Sequence, residues 1–322
     1  MEILNLLIFA ASFVGLWKGG DFLVKGASGI ARLTGMGTFF AGFTVVALGT
    51  SMPEFMVCLV AALEGSSDIA IGNMIGSNIA NIGLIFGLTV LISPIVISRE
   101  AWKEQRLPLV FLVLITFAAY GLSRTGFSIG IGEGVVLFVL LALFLFIPYR
   151  GSREEKNEAL STAQGDGGWK FLFYAILGSA LLAVSAHFLV NSAIEIAVQI
   201  GISELFIGVT VVALGTSLPE LSASLVAALR KEQNIVVGNI IGSNFFNLGY
   251  LGLVASIRPI QVKEQMLSGI TSEFGFFILL TVLFVLLIGK TQISKNRVGK
   301  KKGALLLIVY AAFLYFISGS LS

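Results

Sequence analysis

Apolar residues run along this chain in blocks separated by short polar punctuation. The blocks fall at roughly 3–33, 38–63, 69–92, 107–122 and 131–148, then at 169–200, 204–229, 234–256, 274–289 and 303–319. Blocks of this size suit helices that cross a hydrocarbon core, for which roughly 20 residues suffice. The pattern predicts an all-α polytopic membrane protein with about ten transmembrane helices. Its main hydrophilic interruption is Arg150 to Gly168, rich in Glu, Lys, Ser and Gly, which reads as a linker too short to fold as a domain.

The pattern is written twice. Phe22-Leu-Val returns at Phe188, and the offset of 166 then holds without a gap. TVVALGTSMPEF from Thr44 becomes TVVALGTSLPEL from Thr210, and GNMIGSNIANIG from Gly72 becomes GNIIGSNFFNLG from Gly238. A repeat of this length implies two copies of one structural unit. Residues 1–149 form the first five-helix copy, 150–168 the linker and 169–322 the second copy. An odd number of spans per copy makes the second enter from the opposite side, so the halves are expected to be inverted repeats.

Charge sets the orientation. Under a topology with both termini outside, the inside loops hold Arg99, Lys103, Arg106, Arg150, Arg230, Lys231 and the cluster from Lys290 to Lys302. The outside loops hold chiefly Asp68, Arg124, Arg258 and Lys263. The excess of Lys and Arg inside favours that topology, with the linker cytoplasmic in a cell membrane. Trp102 and Trp169 fall at inside boundaries, where belt residues belong. Glu2 stands where a cleavable signal would carry a basic residue, so the first apolar block is expected to stay as a span.

Composition agrees. Hydrophobic residues make up 56% and charged residues 12% of the 322, and the net charge is only +3. The cations sit in short loops rather than in a stripe, which excludes nucleic acid as a partner. The single cysteine, Cys58, excludes an intrachain disulfide. The expected surroundings are the lipid bilayer, with no cofactor and no obligate protein partner.

The chemistry lies in two duplicated polar clusters. Glu54 and Glu220 stand inside apolar blocks, where an ionised carboxylate costs about 2.5–3.5 kcal/mol on insertion scales. Each ends a Gly-Thr-Ser-X-Pro-Glu run. Pro53 and Pro219 lack an N–H and clash with the carbonyl four residues back, so each helix breaks at membrane depth and offers backbone oxygens. Ala47, Thr50 and Glu54 share a face at i, i+3 and i+7. The second cluster is Asn73, Ser77 and Asn81, spaced by four along one face and repeated as Asn239, Ser243 and Asn247. Such residues also serve as packing glue between membrane helices. Recurring beside duplicated glutamates, they read instead as part of an all-oxygen ligand set for hard cations such as calcium or sodium. His187, aligned with Asp21, is not repeated and reads as an interfacial histidine; Lys18, Asp21 and Lys25 are placed to snorkel or pair. Glu133 and Glu273 lie near span ends, facing water.

GTSMPE with GNMIGSNIANIG, and GTSLPE with GNIIGSNFFNLG, resemble the paired α-repeats of the calcium/cation antiporter superfamily, most of all its prokaryotic sodium/calcium exchangers. The resemblance covers nearly the whole chain. It implies a ten-helix fold whose second, third, seventh and eighth helices surround the ions while the long first and sixth slide past them. By position, Glu54 and Glu220 would bridge the ions. Thr50, Ser51, Thr216 and Ser217 would add side-chain or carbonyl oxygens, and Ala47 and Ala213 carbonyls. Ser77 and Ser243 would complete flanking sodium sites, with Asn81 and Asn247 near the centre. Some relatives, potassium-dependent ones among them, carry an acid where this chain has Asn247. The amide here argues against potassium cotransport. The linker is also too short to be the large calcium-sensing insert of animal exchangers.

Charge counting leaves the counter-ion open. One calcium neutralises two carboxylates; three sodium ions leave +1, and two protons leave zero. The flanking Ser and Asn positions and the resemblance favour sodium, giving an electrogenic exchange of three sodium for one calcium by alternating access, with a calcium/proton antiporter as the alternative. Polarity confined to two mid-membrane clusters argues for a carrier over a channel. An intramembrane hydrolase fits poorly: the glutamates sit among hydroxyls and carbonyls, and His187 has no nucleophile motif nearby. The chain is not expected to be an enzyme.

Overall fold

The computed structural model describes residues 2–151, 168–199, 215–293 and 297–320. They are almost wholly helical. In chain order the helices are α1 (Glu2–Thr34), α2 (Thr38–Thr50), α3 (Met52–Leu63), α4 (Ser67–Ile92), α5 (Arg99–Arg124), α6 (Ile131–Gly151), α7 (Trp169–Gln199), α8 (Leu218–Leu229), α9 (Gln233–Ile257), α10 (Glu264–Leu267), α11 (Glu273–Ile293) and α12 (Lys300–Ser320). Among the described residues, six helices are long and apolar enough to cross a membrane unaided: α1, α4, α5, α7, α9 and α11. α2 and α3 together make one further span, bent by 45° between them.

That bend falls where the proline motif puts it. Ser51 leaves helical geometry at φ −86°, ψ 5°, and Ser217 does so at φ −89°, ψ 5°. Pro53 and Pro219 then occupy the first turns of α3 and α8, where a missing N–H costs nothing. α3 and α8 also end alike. Gly65 and Lys231 take positive φ of 84° and 63°, and bonds from Ser66 N to Ala61 O and from Glu232 N to Ala227 O close both termini.

α5 begins at Arg99, eight residues before the apolar block at 107 that marked it in the sequence. Ser98 caps it by accepting from Ala101 N at 3.0 Å, so the charged turns read as loop are helix standing above the apolar core. Glu133 and Glu273 are half-buried rather than fully in water; Glu133 accepts from Gly130 N at 3.1 Å and so ties down the start of α6.

α1 and α7 pack along their lengths through small residues: a Cβ on Gly26 would come within 2.5 Å of Ala175 N, and one on Gly178 within 2.4 Å of Leu23 N. α9 meets α2 just as closely, since a Cβ on Gly238 would reach 2.2 Å from Phe39 O. Beside that contact Phe43, Phe144 and Phe245 form an aromatic knot, with Phe144 and Phe245 stacked at 4.5 Å. The connections meet in two sets. Strands β1 (Ser128–Ile129) and β2 (Ile260–Gln261) pair antiparallel, and Gln261 N donates to Ser67 Oγ. Elsewhere Ile95 bridges Val298, and Val96 N donates to Gln233 Oε1.

Candidate functional site

The two breaks bring both polar clusters together in the interior. Glu54 and Glu220 are each the third residue of a helix that starts at a break, and both are fully buried. There the positive end of the helix dipole and the first-turn N–H groups face the carboxylates, which favours negative charge. Thr50, Ser51, Ser77, Asn81, Ser217, Ser243 and Asn247 are buried with them, and Thr216 is half-buried.

The halves are cross-linked through it. Ser51 donates to Glu220 Oε1 at 2.9 Å, and Ser217 donates to Glu54 Oε1 at 3.4 Å. Thr50 donates to Asn239 Oδ1 at 3.3 Å, and Thr216 to Asn73 Oδ1 at 3.4 Å. The repeat is thus visible as pairs of equivalent bonds, each running from a break in one half to the other half. Ser217 also reaches Ser77 at 3.4 Å, and Thr50 lies 3.5 Å from Ser243.

Each carboxylate keeps one buried oxygen without a protein partner, Glu54 Oε2 and Glu220 Oε2. Both polar atoms of the Asn81 amide and Asn247 Oδ1 share that condition. Unpartnered buried oxygens cost on the order of 1–3 kcal/mol each, more when charged. The two free carboxylate oxygens, with the hydroxyls bonded around them, make a donor set that desolvated cations would complete. The set contains two carboxylates and otherwise hydroxyl, amide and carbonyl oxygens, which suits hard cations rather than zinc or copper. No cluster of three or more His, Cys, Asp or Glu occurs among the described residues.

The carbonyl of Ala47 accepts from Ser51 N at 3.0 Å, the ordinary helical bond, and Thr50 Oγ1 approaches its second lone pair at 3.4 Å. Ala213, its counterpart, lies outside the described residues. α4 passes into a π-helical stretch at Asn81–Phe86, and α2 does so at Gly42–Val46, local widenings that concentrate at functional sites.

Five contacts were not anticipated. Asn247 donates to Asn78 Oδ1 at 3.0 Å, and Asn78 donates to Asn244 O at 3.5 Å, joining α4 to α9. The signal was available, since Asn78 and Asn244 recur at the repeat offset. Asn239 donates to Ser224 at 3.0 Å, whereas Asn73 donates to the Glu54 carbonyl at 3.0 Å. Ser224 aligns with Cys58, so the two halves anchor equivalent amides differently. Asp21 pairs with Lys25 at 2.8 Å, as expected, and also with Arg230 of the second half. His187 is exposed and contacts Asn191 at 3.0 Å, apart from the carboxylates.

Comparison with known proteins points the same way. The sequence profile of the family described as sodium/calcium exchanger protein matches residues 4–150 and 170–319. The inner membrane protein YrbG of Escherichia coli is 34% identical over 97% of this chain and 98% of its own length. The sodium/calcium exchanger MaX1 of Methanosarcina acetivorans is 32% identical over 98% of each chain. A solved structure of the sodium-calcium exchanger NCX_Mj superposes with a TM-score of 0.78 at 32% identity, covering 97% of both chains.

Proposed function

This chain belongs to the sodium/calcium exchanger family, and we propose that it exchanges sodium for calcium across a membrane by alternating access, three sodium ions for each calcium. The observation that carries this reading is the reciprocal pair of bonds from Ser51 to Glu220 and from Ser217 to Glu54, which leaves one buried oxygen on each carboxylate for the cargo. Glu54 and Glu220 bridge the ions. Thr50, Ser51, Thr216, Ser217, Ser77 and Ser243 supply hydroxyl or backbone oxygens, Ala47 and Ala213 carbonyls, and Asn81 and Asn247 the centre of the site.

Charge makes the exchange obligatory. An empty cavity holding two bare carboxylates is strongly penalised as it crosses an apolar barrier, while a neutralised one is not. The chain therefore reorients loaded, with calcium one way and sodium the other. The close small-residue seam between α1 and α7 suits the two to move as one body past the site.

The membrane arrangement we infer has ten crossings in two inverted copies, 1–149 and 169–322, joined by the cytoplasmic linker 150–168, with both termini outside. The contacts between connections support it. Lys263 pairs with Asp68 at 2.6 Å and β1 with β2, all in loops assigned outside; Ile95 pairs with Val298, both in loops assigned inside. Single cysteines at Lys231 and Lys263 in a Cys58→Ser background test it. Impermeant reagents should label only the second in intact cells, and the reverse pattern refutes the orientation.

Calcium uptake into proteoliposomes decides the counter-ion. Uptake driven by an imposed sodium gradient supports the proposal. Uptake driven by a pH gradient alone, with sodium without effect, gives the calcium/proton alternative, in which two protons neutralise the same two carboxylates.

A further inference from the structure

Asp21 of α1 accepts from Arg230, the residue that closes the end of α8: Nε donates to Oδ1 at 2.7 Å, and Nη2 reaches the same oxygen. Within α1, Lys25 pairs with Asp21 across one turn, at 2.8 Å. The repeat offset of 166 carries Asp21, Arg230 and Lys25 to His187, Glu64 and Asn191. Half of the arrangement recurs there, since His187 contacts Asn191 across one turn of α7 at 3.0 Å. The other half does not. His187 and Glu64, which closes the end of α3, are both exposed. The signs are reversed together: an acid on α1 with a cation at the end of α8 becomes an imidazole on α7 with an acid at the end of α3. Changing one sign alone would turn attraction into repulsion, whereas the double change keeps attraction whenever the imidazole is protonated.

Packing explains why only one pair is made. α1 lies on α8: Ser222 donates to Leu16 O at 2.7 Å, a Cβ on Gly20 would stand 3.2 Å from Val226 Cγ2, and Val226 is 2% exposed. On α3, Val60 is the counterpart of Val226 and is 46% exposed; Met56, the counterpart of Ser222, is 50% exposed. The face of α3 that matches the covered face of α8 is therefore bare. The two copies stand in different arrangements, α1 packed on α8 but α7 not packed on α3. In a carrier built from inverted copies, the opposite state exchanges the two, with α7 on α3 and α1 off α8.

We propose that His187 and Glu64 form an ion pair in the opposite state of the transport cycle, when α7 packs on α3, and that protonation of His187 thereby favours that state. The proposal rests on the alternating-access reading above. Asp and Arg stay charged throughout the physiological range, so the first pair does not respond to pH there. The second is fully present only where an imidazole is protonated, below about pH 6.5 for a free ring, and is lost as pH rises. Among the described residues, the elements packed on α7 are α1, α2 and α8. α2 carries no titratable side chain, and α8 carries Glu220, buried and held by Ser51. On α1, Gly15 lies against Ser185, so the uncharged turn around Ser12 and Phe13 is level with His187. Lys18 and Asp21 follow further along α1, Asp21 already paired, and on α7 itself Glu195 accepts from Asn5.

The test places spin labels at Leu63→Cys and Val184→Cys in a Cys58→Ser background of the full chain in liposomes and measures their separation. Their counterparts Leu229 and Lys18 stay exposed although α1 lies on α8, so labels at these positions do not obstruct the packing. Between about pH 8 and pH 5.5, at fixed sodium and calcium, the ratio of shorter to longer separations should rise by about two- to fivefold, the worth of an ion pair at an exposed site. His187→Gln and Glu64→Gln should each abolish the rise, and Glu64→Asp should keep it. His187→Asp with Glu64→Arg rebuilds the pair of the first copy and should favour the shorter separation at both pH values. A rise that survives both glutamine variants overturns the proposal and moves the proton to Glu54 and Glu220. A separation that answers to sodium and calcium but not to pH overturns the proposal alone. One that answers to none of them overturns the alternating-access reading with it.

Discussion

Ser51 and Glu220 lie 169 positions apart in the chain and share a hydrogen bond of 2.9 Å at its buried centre. The donor sits at the break of one helix and the acceptor in the first turn after the break of another. Neither half of the protein therefore contains a complete site. Each supplies the hydroxyl that holds the other's carboxylate.

Replacing either carboxylate tests the centre directly. Glu54→Gln and Glu220→Gln keep the shape and remove half of the site's charge, so calcium exchange should fall by about a hundredfold or more, on the scale of a lost buried charge contact of 3–5 kcal/mol. The check is calcium flux in proteoliposomes, with membrane insertion confirmed by monodisperse purification. Near-normal flux from either folded variant would remove these residues from the site.

The cross-half bond has a smaller expected worth. A hydrogen bond to a charged group contributes about 1.5–3 kcal/mol, so Ser51→Ala should raise the calcium concentration for half-maximal flux by about tenfold or more. Ser123→Ala is the control, because Ser123 is buried but bonded to Ala119 O, away from the carboxylates. An equal effect at both positions would mean that only packing had been disturbed.

Exchange of three sodium for one calcium moves one net charge per cycle. A potential of about 100 mV then biases the reaction by about 2.3 kcal/mol, and an inside-positive potential should slow sodium entry coupled to calcium exit. Initial calcium flux at clamped potential and fixed sodium gradient measures this. With amides at Asn81 and Asn247, flux should also proceed without potassium; a potassium requirement would show that another group supplies a third charge.

The ends of α3 and α8 offer a prediction about stability. Gly65 takes φ 84° without strain, whereas Lys231 holds φ 63° with a side chain, in a region that costs an ordinary residue about 1–2 kcal/mol. Lys231→Gly should therefore raise the thermal midpoint of the purified protein, and Gly65→Ala should lower it. The nearest neighbour of a Cβ at Gly65 is the end of the Arg258 side chain, at 3.3 Å, so the expected loss comes chiefly from the backbone and not from crowding. An unchanged midpoint in both would show that these termini are not under conformational strain.

Much of this protein was legible in the residues themselves. Apolar blocks, two prolines and a repeat offset of 166 were enough to place most of the described helices, to put breaks beside Pro53 and Pro219 and to single out Glu54 and Glu220. Those signals are local: proline removes its own N–H, and a glutamate in an apolar block is anomalous wherever that block packs. The start of α5 was missed because charged turns above a membrane resemble a loop until the cap at Ser98 is seen. The pairing of Ser51 with Glu220, of Asn247 with Asn78 and of Asp21 with Arg230 belongs to the tertiary structure alone. A repeat specifies what each copy contains, but which copy completes the other depends on how the two pack. The bridge between Ile95 and Val298 is a second case, since it joins two connections far apart in the chain.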